Sequence, residues 1–487
     1  MTSLRQTAIA IACAGACFAA PLLHATDNAN ITVYRSDSAA LYASNGDGGD
    51  SDGYAVVREK RALNLKSGVQ DVVLGDLPVQ LDAESLALGF PNNSAKVISQ
   101  RLLLGQGPNA ALTGMVGRTI TVLGADGATL ASGTLLRAGS DGLVVRNGGA
   151  TRLIRTYAAV QVNEGDFPSG SSLRVRLDAA HAGPVTASLS YPTSGLGWRA
   201  AYVGTLQPGN ACRLQFESRA SIANRSGSTW QNAQLTLIAG EPNFAKESAP
   251  RPMVAMARNF SAKAESADMP QQATLADYRS YTLPTAVDLP NGSISQVPLY
   301  ATRTLDCERT ALYENGNSWQ PAQPMLSSNF DQSSSNAVFS TLKLKAFDSL
   351  PAGYLRVLTI DKDGTAQFIG EGRINDTPKG SDASMTLGTA FDLRAERTRT
   401  HFSVDKAGRV LDEAFRIELS NASDSARIIT VREHPNRWRE WTLASSSSKP
   451  SLQSADTLEF RVNVPANGKA TLDYAVRYHW TADEHPQ

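Results

Sequence analysis

The chain has no net charge, because 46 lysines and arginines balance 46 aspartates and glutamates. No global field therefore draws it toward nucleic acid or an anionic membrane. Catalytic and metal-binding signatures are missing as well. His181, His401, His434, His479 and His485 show no His-x-x-x-His pair or other ligand spacing. No Gly-x-Ser-x-Gly elbow occurs, since Pro192-Thr193-Ser194-Gly195 has the wrong flanks for one. Phe368-Ile369-Gly370-Glu371-Gly372 lacks the helix and the Lys-Ser/Thr that a phosphate cradle requires. These absences argue against an enzyme, so no catalytic, cofactor-binding or metal-binding residue is expected. Beyond the N-terminal segment no run reaches the ~18 apolar residues that a spanning helix needs. Long runs of helix formers, heptads and tandem repeats do not stand out either.

Cysteine is scarce, with 4 in the chain, and two of them, Cys13 and Cys17, lie in the N-terminal segment. That segment explains the address. Met1 to Gln6 is a short polar start carrying Arg5, and Thr7 to Leu23 is nearly all apolar. His24-Ala25 then ends the run on a small residue before Thr26-Asp27. This is the pattern of a secretory signal peptide, residues 1–25, cleaved after Ala25, which places the mature protein in the periplasm or outside the cell. The alternative is a lipid-modified Cys17 within Ala14-Gly15-Ala16-Cys17. Cys212 and Cys307 remain, an even number in an oxidising compartment. Either they form a disulfide, the favoured reading, or they are two separate buried thiols. A bridge would close a loop of about 95 residues, for which chain entropy allows ~4–5 kcal/mol at most.

What is present is strand and turn, and the fold class expected is all-β and multidomain. Residues 26–110 read as an N-terminal β domain, with strands such as Ile31–Tyr34 and Tyr54–Val57 set off by Gly, Asp and Pro. Residues 111–168 have short strands at about 8–12-residue spacing with tight glycine turns, which predicts a small SH3-like barrel. Residues 169–336 form a first sandwich unit, opened by the strict alternation of Leu173-Arg174-Val175-Arg176-Leu177. It is interrupted by a polar stretch, 242–275, read as a mobile linker. Residues 337–487 form a second, C-terminal sandwich. Phe415–Leu419, Leu458–Val462 and Leu472–Val476 alternate in it, and seven or more such strands argue for a β-sandwich.

The candidate sites each have a plainer reading. Asp47, Asp50 and Asp52 offer hard oxygen ligands to Ca²⁺, yet the EF-hand spacing fails, and a solvated hairpin loop is the expectation. Trp438 and Trp441, flanked by Arg437 and Arg439, either stack on a sugar or a partner side chain, or pack under a neighbouring strand. Three residues apart on a strand, only one of them can point inward. Tyr191, Trp198 and Tyr202, followed by the Asn224–Gly227 turn and Trp230, read as a packed sandwich corner.

Several of these segments together carry a resemblance. YPTSGLGWRAAY (191–202), SIANRSGSTWQNAQLTLIAG (221–240), LPAGYLRVLTIDKDG (350–364), FIGEGRINDTPKGSDASMTLGTAFDL (368–393), FRIELSN (415–421) and LDYAVRY (472–478) resemble the exported bacterial proteins that carry the DUF4139 domain. Those proteins are related to mucoidy-inhibitor-like proteins, whose long coiled coil is missing from this chain. The resemblance implies fold and location, and it brings no activity with it. The function expected is a non-enzymatic envelope structural or interaction protein, without cofactor, whose partner is an envelope protein or glycan. A carbohydrate- or surface-binding adhesin-like role is the alternative, and a hydrolase acting on envelope polymers is third.

Overall fold

The computed structural model describes residues 26–27, 29–43, 52–104, 110–113, 115–139, 141–162, 170–209, 211–240, 269–330 and 335–487. The expected signal segment, Cys17, and the loop bearing Asp47 and Asp50 lie outside the described residues, as do residues 242–268 of the expected linker. Of that linker's remainder, Gln271–Leu275 is a strand paired with Tyr278–Thr282.

The molecule is all-β and multidomain, as its alternating sequence requires. Fourteen strands carry the architecture. They are β1 (Asn30–Tyr34), β2 (Ala55–Leu65), β3 (Gly183–Thr193), β4 (Leu196–Leu206), β5 (Arg213–Asn224), β6 (Trp230–Ala239), β7 (Val287–Leu289) and β8 (Ser293–Asn315). Then follow β9 (Ala337–Lys345), β10 (Asp382–Asp405), β11 (Val410–Asn421), β12 (Arg427–Glu433), β13 (Leu458–Val464) and β14 (Gly468–His479).

One order of pairings occurs twice. In the first unit β6 runs parallel to β1, β1 is antiparallel to β2, and β2 to β3. The chain turns into β4, which is antiparallel to β5, β5 pairs with β8, and β6 pairs with β7. In the second unit β12 runs parallel to the end of β8, β8 is antiparallel to β9, and β9 to the first half of β10. The second half of β10 pairs with β11, β11 with β14, and β12 with β13. No tandem repeat is conspicuous in the sequence because the two units share burial parity and few identical residues.

Each unit is closed by the same latch. At the end of β5, Asn224 Nδ2 donates to Ser228 O and Leu289 O at 2.8 Å each, while its Oδ1 accepts from Ser226 N at 3.1 Å and Ser226 Oγ at 2.8 Å. At the end of β11, Asn421 Nδ2 donates to Ser425 O at 2.8 Å and Pro465 O at 3.0 Å, while its Oδ1 accepts from Ser423 N at 3.0 Å and Ser423 Oγ at 2.6 Å. Leu196 pairs with Asn224 and Leu393 with Asn421, so one shift in numbering superposes the strands as well as the latches. Both asparagines are buried. Their amides replace the water that the turn's carbonyls would otherwise need.

Strand β8 belongs to both units. Through Asp306 it pairs with β5, and from Cys307 onward it pairs with β9. Cys212 and Cys307 form a disulfide at that point, with Cα atoms 5.1 Å apart, and Cys307 N donates to Cys212 O at 3.0 Å. The favoured reading of the two cysteines is therefore what the structure contains, and the bridge pins β8 where it passes between sheets. Separate cores lie on either side: Trp198, Trp230, Phe216 and Leu299 in the first, Tyr313, Phe415, Phe460 and Trp438 in the second.

Two sheets run across the boundaries expected near residues 110 and 168. β1 and β2 complete the sheet of β3 and β6, and Ser171–Ala179 lies between Gly68–Leu77 and Ala95–Leu103 in a facing three-stranded sheet. Ile31, Val33 and Val57 share one core with Leu173, Val175 and Trp198. The small unit between them has the expected short strands, but it is not a closed barrel. Its five strands form an open sheet with Ala150–Ile154 and Ala159–Gln161 at opposite edges, over Met115, Ile120, Val122, Leu135, Leu143 and Val145. Residues 150–153 are exposed, and the other edge strand has only 3 residues, so closing the sheet would bury little.

Candidate functional site

The expected corner is core. Trp198 is fully buried and its Nε1 donates to Ile238 O at 2.9 Å. Tyr202 donates to Pro351 O at 2.7 Å. Tyr202, Phe216, Phe347, Tyr300 and Tyr281 form a chain of ring contacts with centroids 5.2–6.1 Å apart. Burial pushes the Tyr281 phenol up to about 12, against the Tyr300 hydroxyl whose hydrogen bond lowers it, and burial holds Tyr202 well above its ordinary value. A Cβ on Gly370 would meet Leu387 O at 2.2 Å, so the glycines of Phe368–Gly372 serve the close passage of this strand over β10.

In the second unit the equivalent place is charged. The shift that carries Asn224 onto Asn421 carries Phe216 onto Glu413, and Ala200 and Tyr202 onto Arg397 and Arg399. Alternation on β11 turns Leu411, Glu413, Phe415, Ile417 and Leu419 inward together. Glu413 and Glu433 are 4% and 2% exposed, so each carboxylate requires a cation beside it. Arg437 Nε donates to Glu413 Oε2 at 2.8 Å, and Arg397 Nε to Glu433 Oε2 at 3.0 Å. Two tyrosines on one face of β14 complete the pairs. Tyr474 donates to Glu433 Oε2 at 2.7 Å and Tyr478 to Glu413 Oε1 at 3.2 Å. Burial, then the adjacent carboxylate, holds both phenols far above their usual range. Burial alone would lower the Arg397 guanidinium, but Tyr474 and Glu433 outweigh it and the net shift is upward.

Arg437 also closes the end of the sandwich. It donates to Met325 O at 3.2 Å, Ser327 O at 2.9 Å and Phe330 O at 3.0 Å, while Arg399 donates to Ser328 O at 2.7 Å. The irregular 325–330 segment is thereby strapped over the charged cluster. At the edge, His434 Nδ1 lies 2.9 Å from Asp456 O and Nε2 2.9 Å from Glu314 Oε1, and Arg432 bonds the same Glu314 oxygen. The space left among Arg397, Glu413, Glu433, Arg437, Tyr474 and Tyr478 has room for about one water molecule.

Sequence reasoning named His434 and Arg437 and missed Glu413, Glu433 and Arg397. The available signal was a charge standing on the apolar parity of a strand. His181, His401, His479 and His485 are exposed. No group of three or more His, Cys, Asp or Glu suited to a metal ion occurs among the described residues. Trp438 is buried and Trp441 half-buried, with Trp441 Nε1 donating to Ala455 O at 2.8 Å. One indole is inside and one is partly out, as expected, although Trp438 sits in a loop and not on a strand. Asp361-Lys362-Asp363-Gly364 is the expected hairpin turn, with Asp361 Oδ1 accepting from Asp363 N and Thr365 N. No helix among the described residues is long and apolar enough to cross a membrane.

Residues 187–482 match the model of a domain of unknown function, DUF4139. No curated protein matches the chain. The matched region begins inside β3, so it contains all of the second unit's strands from β9 onward. It leaves out β1 and β2, which the first unit needs to complete its sheet.

Proposed function

We propose, from the premise that the chain belongs to the DUF4139 family, that it is an exported envelope protein with a structural or interaction role and no catalytic activity. The observation that carries this reading is the state of the charged cluster. Its two carboxylates and two guanidiniums are ion-paired with one another and bonded to Tyr474 and Tyr478 and to the carbonyls of the 325–330 strap. A catalytic acid or base needs room for a reacting group, and the remaining space is that of about one water. The Cys212–Cys307 bridge suits an oxidising compartment, and with the N-terminal apolar segment it supports export to the periplasm or beyond.

The experiment is cross-linking in intact cells with the full chain expressed at native level. Discrete, reproducible adducts with envelope proteins are expected. A chain that stays uncross-linked across photoreactive positions on several faces would contradict the reading.

A further inference from the structure

The two units differ at the end where the latch lies. In the first unit, residues 79–82 cover it. Leu81 bridges Thr193 in antiparallel fashion, Asp82 N donates to Pro192 O at 3.0 Å, and Val79 N to Ser226 O at 3.2 Å. A Cβ on Gly227 would meet Val79 Cγ2 at 2.9 Å, so the latch turn is in close contact with this cover. The covering segment comes from the insertion between β2 and β3.

The second unit's insertion, between β9 and β10, is used elsewhere. Its strand Gly353–Ile360 runs parallel to β4 of the first unit and brings Ala366–Ile374 with it. The second unit's latch end therefore receives no cover from its own insertion. There, pairing of β9 with β10 jumps from Phe339↔Thr389 to Ala337↔Arg394, leaving a bulge at 390–393. Arg394 Nη1 turns back and donates to Ala390 O, Phe391 O and Leu393 O at 2.8–3.0 Å, which fixes the bulge. Phe391 stands out of it, 87% exposed, the most exposed large hydrophobic among the described residues. Ala422 N donates to Asp392 O at 2.8 Å, so the bulge adjoins the latch turn, where Asp424 stands exposed.

We propose that this end of the second unit docks an extended segment of a partner polypeptide, one carrying an apolar side chain flanked by lysine or arginine. The first unit supplies the precedent for an extended cover at this position. Phe391 supplies an aromatic anchor of the kind that concentrates binding energy. Asp392 and Asp424 outnumber the one cation of the bulge, Arg394, whose guanidinium is folded onto the bulge carbonyls. They so favour a basic segment by charge complementarity and oppose an anionic lipid surface. The proposal rests on the reading of the protein as an interaction module, and it names where and what that module binds.

The test is a displayed library of random peptides panned on the full exported chain. Binding of the enriched sequences is then measured on wild type, Phe391→Ala and Asp392→Lys. Both variants alter exposed side chains, and an unchanged melting temperature confirms that they fold. Enrichment of apolar–basic sequences, bound about tenfold or more weakly by either variant, is expected. Absence of enrichment, peptides that bind the variants equally well, or Phe391-dependent binding to phosphatidylglycerol vesicles would each overturn the proposal. If the peptide test fails while photoreactive positions on other faces still trap partners in cells, the docking end falls and the interaction reading stands. If no position traps a partner, both fall.

Discussion

The first unit fills the space between its sheets with Tyr202, Phe216, Tyr300 and Phe347, whereas the second places Arg397, Glu413, Glu433 and Arg437 at the corresponding depth. One strand plan thus tolerates two interior chemistries, and each carries its own condition. Aromatic rings need only shape and a hydrogen-bond partner for each hydroxyl, which Pro351 O and Ser349 O provide. Buried charges need complete pairing, because a lone one retains its whole desolvation penalty. The second unit meets that need by recruiting 325–330 and by lining β14 with tyrosines. Its open end is therefore closed by irregular chain, and the equivalent depth in the first unit is closed by rings.

The comparison breaks most severely when one member of a set is removed. Arg437→Ala strands the Glu413 carboxylate and frees three strap carbonyls, so a loss of about 3–5 kcal/mol in denaturant-derived stability is expected. Phe216→Ala at the equivalent place leaves a cavity and costs a similar ~3–5 kcal/mol. The strap distinguishes them. Hydrogen exchange at 325–330 should rise sharply in the first variant and stay unchanged in the second.

Opening the joint between the units is the next largest change. Cys212→Ser with Cys307→Ser should lower stability by about 2–4 kcal/mol through the unfolded chain. Both units should keep their folded signatures at low temperature, because β9 and β10 also run through both cores. A variant that loses only one unit would show that the bridge, and not the shared strands, joins them.

The latches offer a matched pair. Asn224→Ala and Asn421→Ala each orphan buried carbonyl and amide groups, at about 1–3 kcal/mol apiece. Agreement between the two losses would support the equivalence of the units, and a loss confined to one would break it.

Alkaline titration tests both interiors at once. Tyr202, Tyr281, Tyr474 and Tyr478 all have folded values raised above the ordinary 10.0, by burial first and, in the second unit, by carboxylates next. A raised folded value stabilises the protein below the unfolded value and loses that stability as pH rises through the folded one. Stability should therefore be insensitive to these phenols below about pH 10. It should decline as pH rises toward about 12, where Tyr281 ionises in the fold. Tyrosinate absorbance, followed together with circular dichroism, checks the sign.

Much of this architecture is legible in local pattern. Leu173–Leu177, Phe415–Leu419 and Leu472–Val476 alternate and are strands, and the turns at Asn224 and Asp361 lie where Asn, Ser, Asp and Gly place them. Pairing over long distances leaves no such trace. Nothing local in Ile31–Tyr34 says that it completes a sheet with Gln234–Ile238, so the N-terminal strands read as a separate domain. The repeated plan is equally silent, since Phe216 and Glu413 share a position without sharing chemistry. Asn-x-Ser-x-Ser, at 224–228 and 421–425, is the run that writes it into the residues. Glu413 was visible as a charge on an inward parity, but its need for Arg437 is a tertiary fact.

The most direct measurement compares Arg437→Met alone with Glu413→Phe plus Arg437→Met in denaturant unfolding. If the charged cluster is a structural equivalent of the aromatic one, the single variant loses about 3–5 kcal/mol and the double variant, which installs the first unit's phenylalanine, recovers most of it. A double variant as unstable as the single one would contradict the equivalence of the two interiors.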